Sequence, residues 1–344
     1  MVNKKPKIRK VKNTLVRLAV VVVAWYALWY QLRHHETLGG LLDQFIDQFG
    51  HNDFWLPLAA VVLLMAVNWS IEAIKWRYLI RKSEKISFFR SLKGIFTGIS
   101  VGTFTPNRLG EFLGRSFVLD QTHPWKVFFM TLIGSYSQLL VTVLTGTAGL
   151  FYFLWNYAGL TTGLTYLDVL IVFFAGVTVV LLMVLYFNIY LIDKHLGGWL
   201  RKKKPGFGAW LHVISSYSGK ELMVVLLLSI SRYLVFSTQF YLLLHLFHLP
   251  VPLLDAMAFI GIVYLVMMVV PSVALSEVGI RGSVAVYFFS FYFLTIPAIE
   301  DPALGIVSAS TVLWLINLVI PAALGTFFVY HLRVFRNSTL NTSA

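Results

Sequence analysis

The sequence predicts an all-α polytopic membrane protein, with about six full transmembrane helices and two oppositely oriented helical hairpins that form an inverted repeat. Three observations predict it. Hydrophobic residues make up 58% of the 344 and charged residues only 12%, about half of the roughly 25% charged that soluble domains carry. Apolar runs long enough to cross a hydrocarbon core, about 20 residues each, recur from end to end, and the mean hydropathy is +0.76. The alternating segments of about 10 residues that mark a membrane β-barrel are missing.

The apolar runs fall at about residues 14–32, 54–74, 88–105, 127–155, 167–192, 222–247, 254–275, 282–298 and 304–331. The first follows the basic segment "KKPKIRKVK" and leads into "WYQLRHHE" without a small-residue cleavage site, so it reads as a retained anchor. The 28 Lys and Arg are clustered: seven up to Arg17, seven from Lys75 to Lys93, three from Arg108 to Lys126, six from Lys194 to Lys220 and two in the C-terminal tail. Connections such as "NYAGLTTGLTYLD" and "AIEDPA" are neutral or acidic. The positive-inside rule then puts both termini in the cytoplasm, in a cell (inner) membrane. It gives a basic cytoplasmic N-terminus over 1–13, a single transmembrane domain over 14–332 and a cytoplasmic tail over 333–344. The net charge of +13 follows from the same rule and calls for no nucleic acid. The longest polar stretch, about 193–220, is too short to fold alone, so no soluble catalytic domain is expected.

Nine full crossings would leave the termini on opposite sides. Segment 88–105 instead starts in a basic loop and leads into Arg108, Arg115 and Lys126. It therefore enters from the cytoplasm, turns at "TPNRLGE" and returns, a hairpin over about 88–122. The pair 254–275 and 282–298 begins after a neutral loop, turns at "VPSVALSE" and ends at acidic "AIEDPA", a hairpin over about 254–298 from the other face. A few residues separate such a return from a full crossing.

The two turns match. Pro106 and Pro271 are each followed, five or six residues on, by a glutamate, Glu111 or Glu277, and four residues later by an arginine, Arg115 or Arg281. Residues four apart share a helix face and can pair. Matching tips on hairpins of opposite orientation are what an inverted repeat produces, and in transporters broken helices of this kind meet at a midplane binding site. Proline breaks the incoming helix, and Asn107 or Ser272 can cap the outgoing one. A fresh helix N-terminus favours an anion, and Arg108, Arg115 and Arg281 add bidentate oxyanion recognition. Gly110 and its neighbouring glycines let backbones approach closely. Arg232 lies deep in the apolar run 222–247, where an arginine costs roughly 2.5–3.5 kcal/mol and needs an acidic partner; Glu277 and Glu111 are the candidates.

At these residues the chain resembles the transmembrane-region family of lysylphosphatidylglycerol synthase, flippase-like membrane proteins. "TPNRLGE" is similar to that family's P-x-R-x-G-E motif through Pro106, Arg108, Gly110 and Glu111. The second turn keeps Pro271 and Glu277 but lacks the paired glycines of the family pattern. In the bifunctional synthase a soluble aminoacyl-transferase half follows the membrane half. The resemblance therefore implies that the transferase chemistry is missing here and that lipid translocation remains.

Two functions follow. One is a flippase for an anionic lipid, either a phospholipid or a polyprenyl-phosphate-linked one, with Asn107, Arg108, Glu111, Arg115, Arg232, Glu277 and Arg281 at the headgroup and Pro106, Gly110, Pro271 and Ser272 forming the tips. The alternative is a membrane-embedded transferase using Glu111 or Glu277 as base. No cofactor is expected: no phosphate-binding loop, HExxH or nucleophile elbow is present. His245 and His248 lack a third metal ligand. The plain alternatives are a topology-setting loop at the first tip and a hairpin-locking ion pair at the second. Glu72, Lys75 and Arg77 end the second span and read as interfacial, although Asn68 and Glu72 share a face and could line the cavity. Asn68, Gln138, Asn188, Gln239 and Asn317 read as interhelical hydrogen bonders.

Overall fold

A computed structural model of the chain describes residues 52–103, 105, 110–157, 165–197, 202–203, 210, 212–270, 274–296 and 302–331. The expected first span over 14–32, both terminal segments, and Pro106, Asn107, Arg108, Pro271 and Ser272 lie outside the described residues. Among the described residues there is no strand. The helices are α1 (Asn52–Ile80), α2 (Phe88–Gly102), α3 (Glu111–Ser116), α4 (Pro124–Tyr157), α5 (Tyr166–Phe187), α6 (Tyr190–Ile192), α7 (Gly219–Leu246), α8 (Leu253–Val269), α9 (Ala274–Leu294), α10 (Ala303–Trp314) and α11 (Ile320–His331). Five stretches are long and apolar enough to cross a membrane: Phe54–Ile80, Pro124–Tyr157, Tyr166–Phe187, Gly219–Leu246 and Ala303–Phe328. They coincide with five of the six expected full spans, and the sixth is the one not described.

Local sequence sets where these helices begin. Thr165 with Asp168 and Ser218 with Glu221 form capping boxes at α5 and α7, each satisfying two N–H groups that the first turn leaves unpaired. Pro124 opens α4, where a missing N–H costs nothing.

The order long helix, hairpin, long helix occurs twice, as α1, α2–α3, α4 and as α7, α8–α9, α10–α11. The packing follows this duplication. Helices α1 and α7 lie against each other, hairpin α2–α3 packs on α11, and hairpin α8–α9 packs on α4. Each hairpin thus seats on the last helix of the other half. The α1/α7 pair is antiparallel: Tyr217 Oη donates to the Leu79 carbonyl at 2.7 Å, and Gln239 Nε2 donates to the Val61 carbonyl at 2.8 Å. Equivalent helices that run in opposite directions make the two halves an inverted pair, as the matching tips predict.

Small residues make both seats. A Cβ on Gly149 would lie 2.3 Å from the Ala258 carbonyl oxygen, and one on Gly146 would lie 2.8 Å from that of Gly261. A Cβ on Gly325 would stand 2.1 Å from the Phe96 carbonyl oxygen, and nearby Ser100 Oγ donates to the Ala322 carbonyl at 2.6 Å. In a bilayer, close backbone approach of this kind drives helix association.

Both hairpins close at their bases. Glu84 accepts the backbone N–H groups of Asp120 and Gln121 at 3.1 and 2.8 Å, and Arg90 Nε donates to the Val118 carbonyl at 2.9 Å. This ties the far side of the first hairpin to its entrance, near the N-terminus of α4. In the second, Tyr292 Oη donates to the Pro250 carbonyl at 3.1 Å. Its entrance lies at the opposite end of α4, where Tyr152 and Tyr157 donate to buried Asp255. The 15 residues of α2 extend only about 22 Å, short of a hydrocarbon core of about 30 Å.

One irregularity interrupts the last span. Residues Leu315–Val319 form a π turn, with the Ile320 N–H donating to the Leu315 carbonyl. Pro321 explains it: the ring has no N–H for the carbonyl of Asn317, four residues earlier, and would clash with it in a regular helix.

Candidate functional site

Four cations and three carboxylates gather where α1, α7 and the two hairpins meet. Glu72, buried on α1, is the hub. Its Oε2 takes Lys75 Nζ at 2.8 Å and Arg232 Nη1 at 3.0 Å, and its Oε1 takes Arg115 Nη2 at 3.2 Å. Lys75 is 1% exposed and donates further to Ser229 Oγ and the Gly134 carbonyl. Arg115 also pairs with Glu111 at 3.1 Å, one helical turn back. Arg232 sits midway along α7 and donates through Nε to Asn68 Oδ1 at 3.1 Å. Asn68 in turn donates to Asn317 on the π turn at 3.3 Å. Buried charges persist only when paired in this way.

Beside the hub lies a cavity of about 320 Å³ whose wall includes Asn68, Gln138, Arg232, Tyr264, Glu277, Arg281 and Asn317. It opens where the two buried apolar clusters of the protein meet, and Tyr264 packs against both. Arg281 is held by Glu277, 2.6 Å away and one turn back on α9. The cavity also borders Met268, an exposed side chain on the outer surface of α8. Several polar atoms in its wall have no hydrogen-bond partner among the described residues: Arg281 Nε, Tyr264 Oη, Gln138 Oε1 and Trp314 Nε1. A buried polar group left unmatched costs about 1–3 kcal/mol, so these atoms mark the wall as polar in an otherwise apolar bundle. Lys75, Arg115, Arg232 and Arg281 against Glu72, Glu111 and Glu277 leave one formal positive charge in excess.

The expected site residues divide into two groups. Arg232, Glu277 and Arg281 face the one cavity. Glu111 and Arg115 are not in its wall and reach it only through Glu72. Asn107 and Arg108 are outside the described residues. Both expected one-turn pairs form. Arg232, however, takes neither Glu111 nor Glu277 as its acid but Glu72, which with Lys75 is buried inside the bundle. Helix α3 begins at Glu111 with Gly110 at its N-cap and no side-chain cap hydrogen bond. The Gly110 N–H is satisfied instead by Thr105 Oγ1 at 2.7 Å. Asn188 bonds within its own helix, to the Val184 carbonyl. Among the described residues no group of three His, Asp or Glu side chains suits a metal ion.

Residues 15–298 match the model of the lysylphosphatidylglycerol synthase transmembrane region. No curated protein and no solved structure matches the chain. The match takes in both hairpins, the hub and every charged residue of the cavity wall, and the protein belongs to the family of the lysylphosphatidylglycerol synthase transmembrane region.

Proposed function

We propose that this protein is a translocator, not an enzyme, and moves an anionic lipid across the cytoplasmic membrane. Arg232, Arg281 and Glu277 facing one cavity between the two halves carry this reading. The two arginines supply planar N–H forks suited to an oxyanion, and the excess positive charge attracts one. Exposed Met268 at the cavity edge lets acyl or prenyl chains stay in the bilayer while the headgroup sits inside. The hairpins are re-entrant in this reading, entering from opposite faces, with both termini cytoplasmic by the distribution of Lys and Arg. Family membership points the same way, toward membrane lipid handling.

The test is quencher access to labelled lipids in proteoliposomes, with phosphatidylglycerol, a polyprenyl phosphate and phosphatidylcholine as probes. Translocation of an anionic probe by the wild type, lost in Arg232→Gln and Arg281→Gln with the fold retained, supports the proposal. Equal translocation by both variants sinks it. Lipid masses read afterwards distinguish a transferase, which would change them.

A further inference from the structure

The hub contains a residue whose arrangement goes beyond pairing. Glu72 binds three cations, Lys75, Arg115 and Arg232, through two oxygens. It can lose any one of them without becoming an unpaired buried charge, the event that makes ion-pair loss expensive. Of the three, Lys75 is sealed in and Arg115 is nearly so, with side chains 1% and 7% exposed. Arg232 differs, at 22% exposed and part of the cavity wall. An arginine carries five N–H donors, and Arg232 commits one to Asn68 and one to Glu72, leaving three uncommitted among the described residues. It is therefore the cation that can turn toward a ligand, while Glu72 keeps Lys75 and Arg115.

The second hairpin supplies the comparison. Arg115 and Arg281 hold equivalent places at the two tips, each with a glutamate one turn back. Arg115 meets an additional carboxylate, that of Glu72, whereas Arg281 lines the cavity and has its Glu277 pair alone among the described salt bridges. Glu72 stands toward the first hairpin as an incoming oxyanion would stand toward the second.

Resting on the translocator reading, we propose that Glu72 is an internal competitor for the substrate anion, a positioning residue that holds Arg232 in the empty site and gives it up when a singly charged oxyanion headgroup enters. The exchange returns the seven-residue cluster to neutrality. It also hands the carboxylate of Glu72 wholly to Lys75 and Arg115, so that cavity occupancy is felt at the first hairpin.

The test is calorimetric binding of dihexanoyl phosphatidylglycerol to the detergent-solubilised full chain, comparing wild type, Glu72→Gln and the double variant Glu72→Gln with Lys75→Met. The double variant removes the lysine that would otherwise be stranded, so a folding defect in the single variant leaves the test intact. Inorganic phosphate, titrated in parallel, separates recognition of the bare oxyanion from recognition of a lipid headgroup. Removal of a competitor tightens binding, by about tenfold or more for a close charge pair. Binding that weakens or stays the same in the folded double variant overturns the proposal and gives Glu72 a purely structural role. If neither wild type nor variants bind either probe, the anion site itself falls, and this proposal with it.

Discussion

The carboxylate of Glu72 and the guanidinium of Arg232 stand 3.0 Å apart, on antiparallel helices that belong to opposite halves of the molecule. One turn along α1, Lys75 pairs with the same carboxylate at 2.8 Å and is 1% exposed. The ion cluster is thus also the joint between the halves, and its stability and its chemistry are tied together.

Removing one member of such a joint exposes its partners to an apolar surrounding. Glu72→Ala should destabilise the protein by about 3–5 kcal/mol, because Lys75 is left buried without a counter-charge. Adding Lys75→Met should recover much of that loss, since both charges of the pair are then gone. Chemical denaturation in micelles, arranged as a double-mutant cycle, measures the coupling. If the two losses simply add, Glu72 and Lys75 do not act as a unit.

Glycine crossings make a second, independent prediction. Gly149→Val and Gly325→Val place a side chain where backbone oxygens stand 2.3 and 2.1 Å from the new Cβ. Each should cost about 1–3 kcal/mol or more, as overpacking does. Gly176→Val on α5 has open space around it and should leave the thermal unfolding temperature unchanged. A uniform response at the three positions would mean that close approach is not what seats the hairpins.

What could be read in advance was what lies close together along the chain. The spans follow from apolar runs, and the pairs Glu111/Arg115 and Glu277/Arg281 from a four-residue spacing; the structure has both pairs in contact. The acidic partner of Arg232 is 160 residues away, on α1. Finding it requires knowing that α1 and α7 lie side by side, which no local pattern states. Glu72 and Lys75 fall at the end of an apolar run, where a buried pair and an interfacial pair look alike in sequence. Asn317 carried a usable signal: Pro321, four residues on, has no N–H for its carbonyl, and the resulting π turn carries Asn317 to Asn68.

At the cavity, geometry as well as charge should decide function. Arg281→Lys keeps the charge but replaces a planar fork by a single ammonium. Translocation of phosphatidylglycerol in proteoliposomes should fall by about tenfold, the effect of roughly one lost charge-assisted hydrogen bond. Arg81→Ala removes an exposed cation at the end of α1 that pairs with Glu221. It should leave the rate as it is, since exposed pairs contribute at most about 1 kcal/mol. Equal losses in the two variants would point to net charge alone.

The opposed entrances of the hairpins are open to direct measurement, because the chain contains no cysteine and single thiols can be introduced on an otherwise silent background. Gln121 is exposed at the base of the first hairpin, Thr295 is exposed at the base of the second, and Lys220 is exposed at the start of α7. Lys82 pairs with Glu221 at 2.7 Å, so the start of α7 lies at the same end of the bundle as the first hairpin's base. Gln121→Cys and Lys220→Cys should therefore react with a membrane-impermeant maleimide from one face of intact, oriented vesicles. Thr295→Cys should react from the other. By the clustering of Lys and Arg, the first pair should be reached from the cytoplasmic side. Should Gln121→Cys and Thr295→Cys react from the same face, the hairpins do not enter from opposite sides, and the proposed translocation path loses its basis.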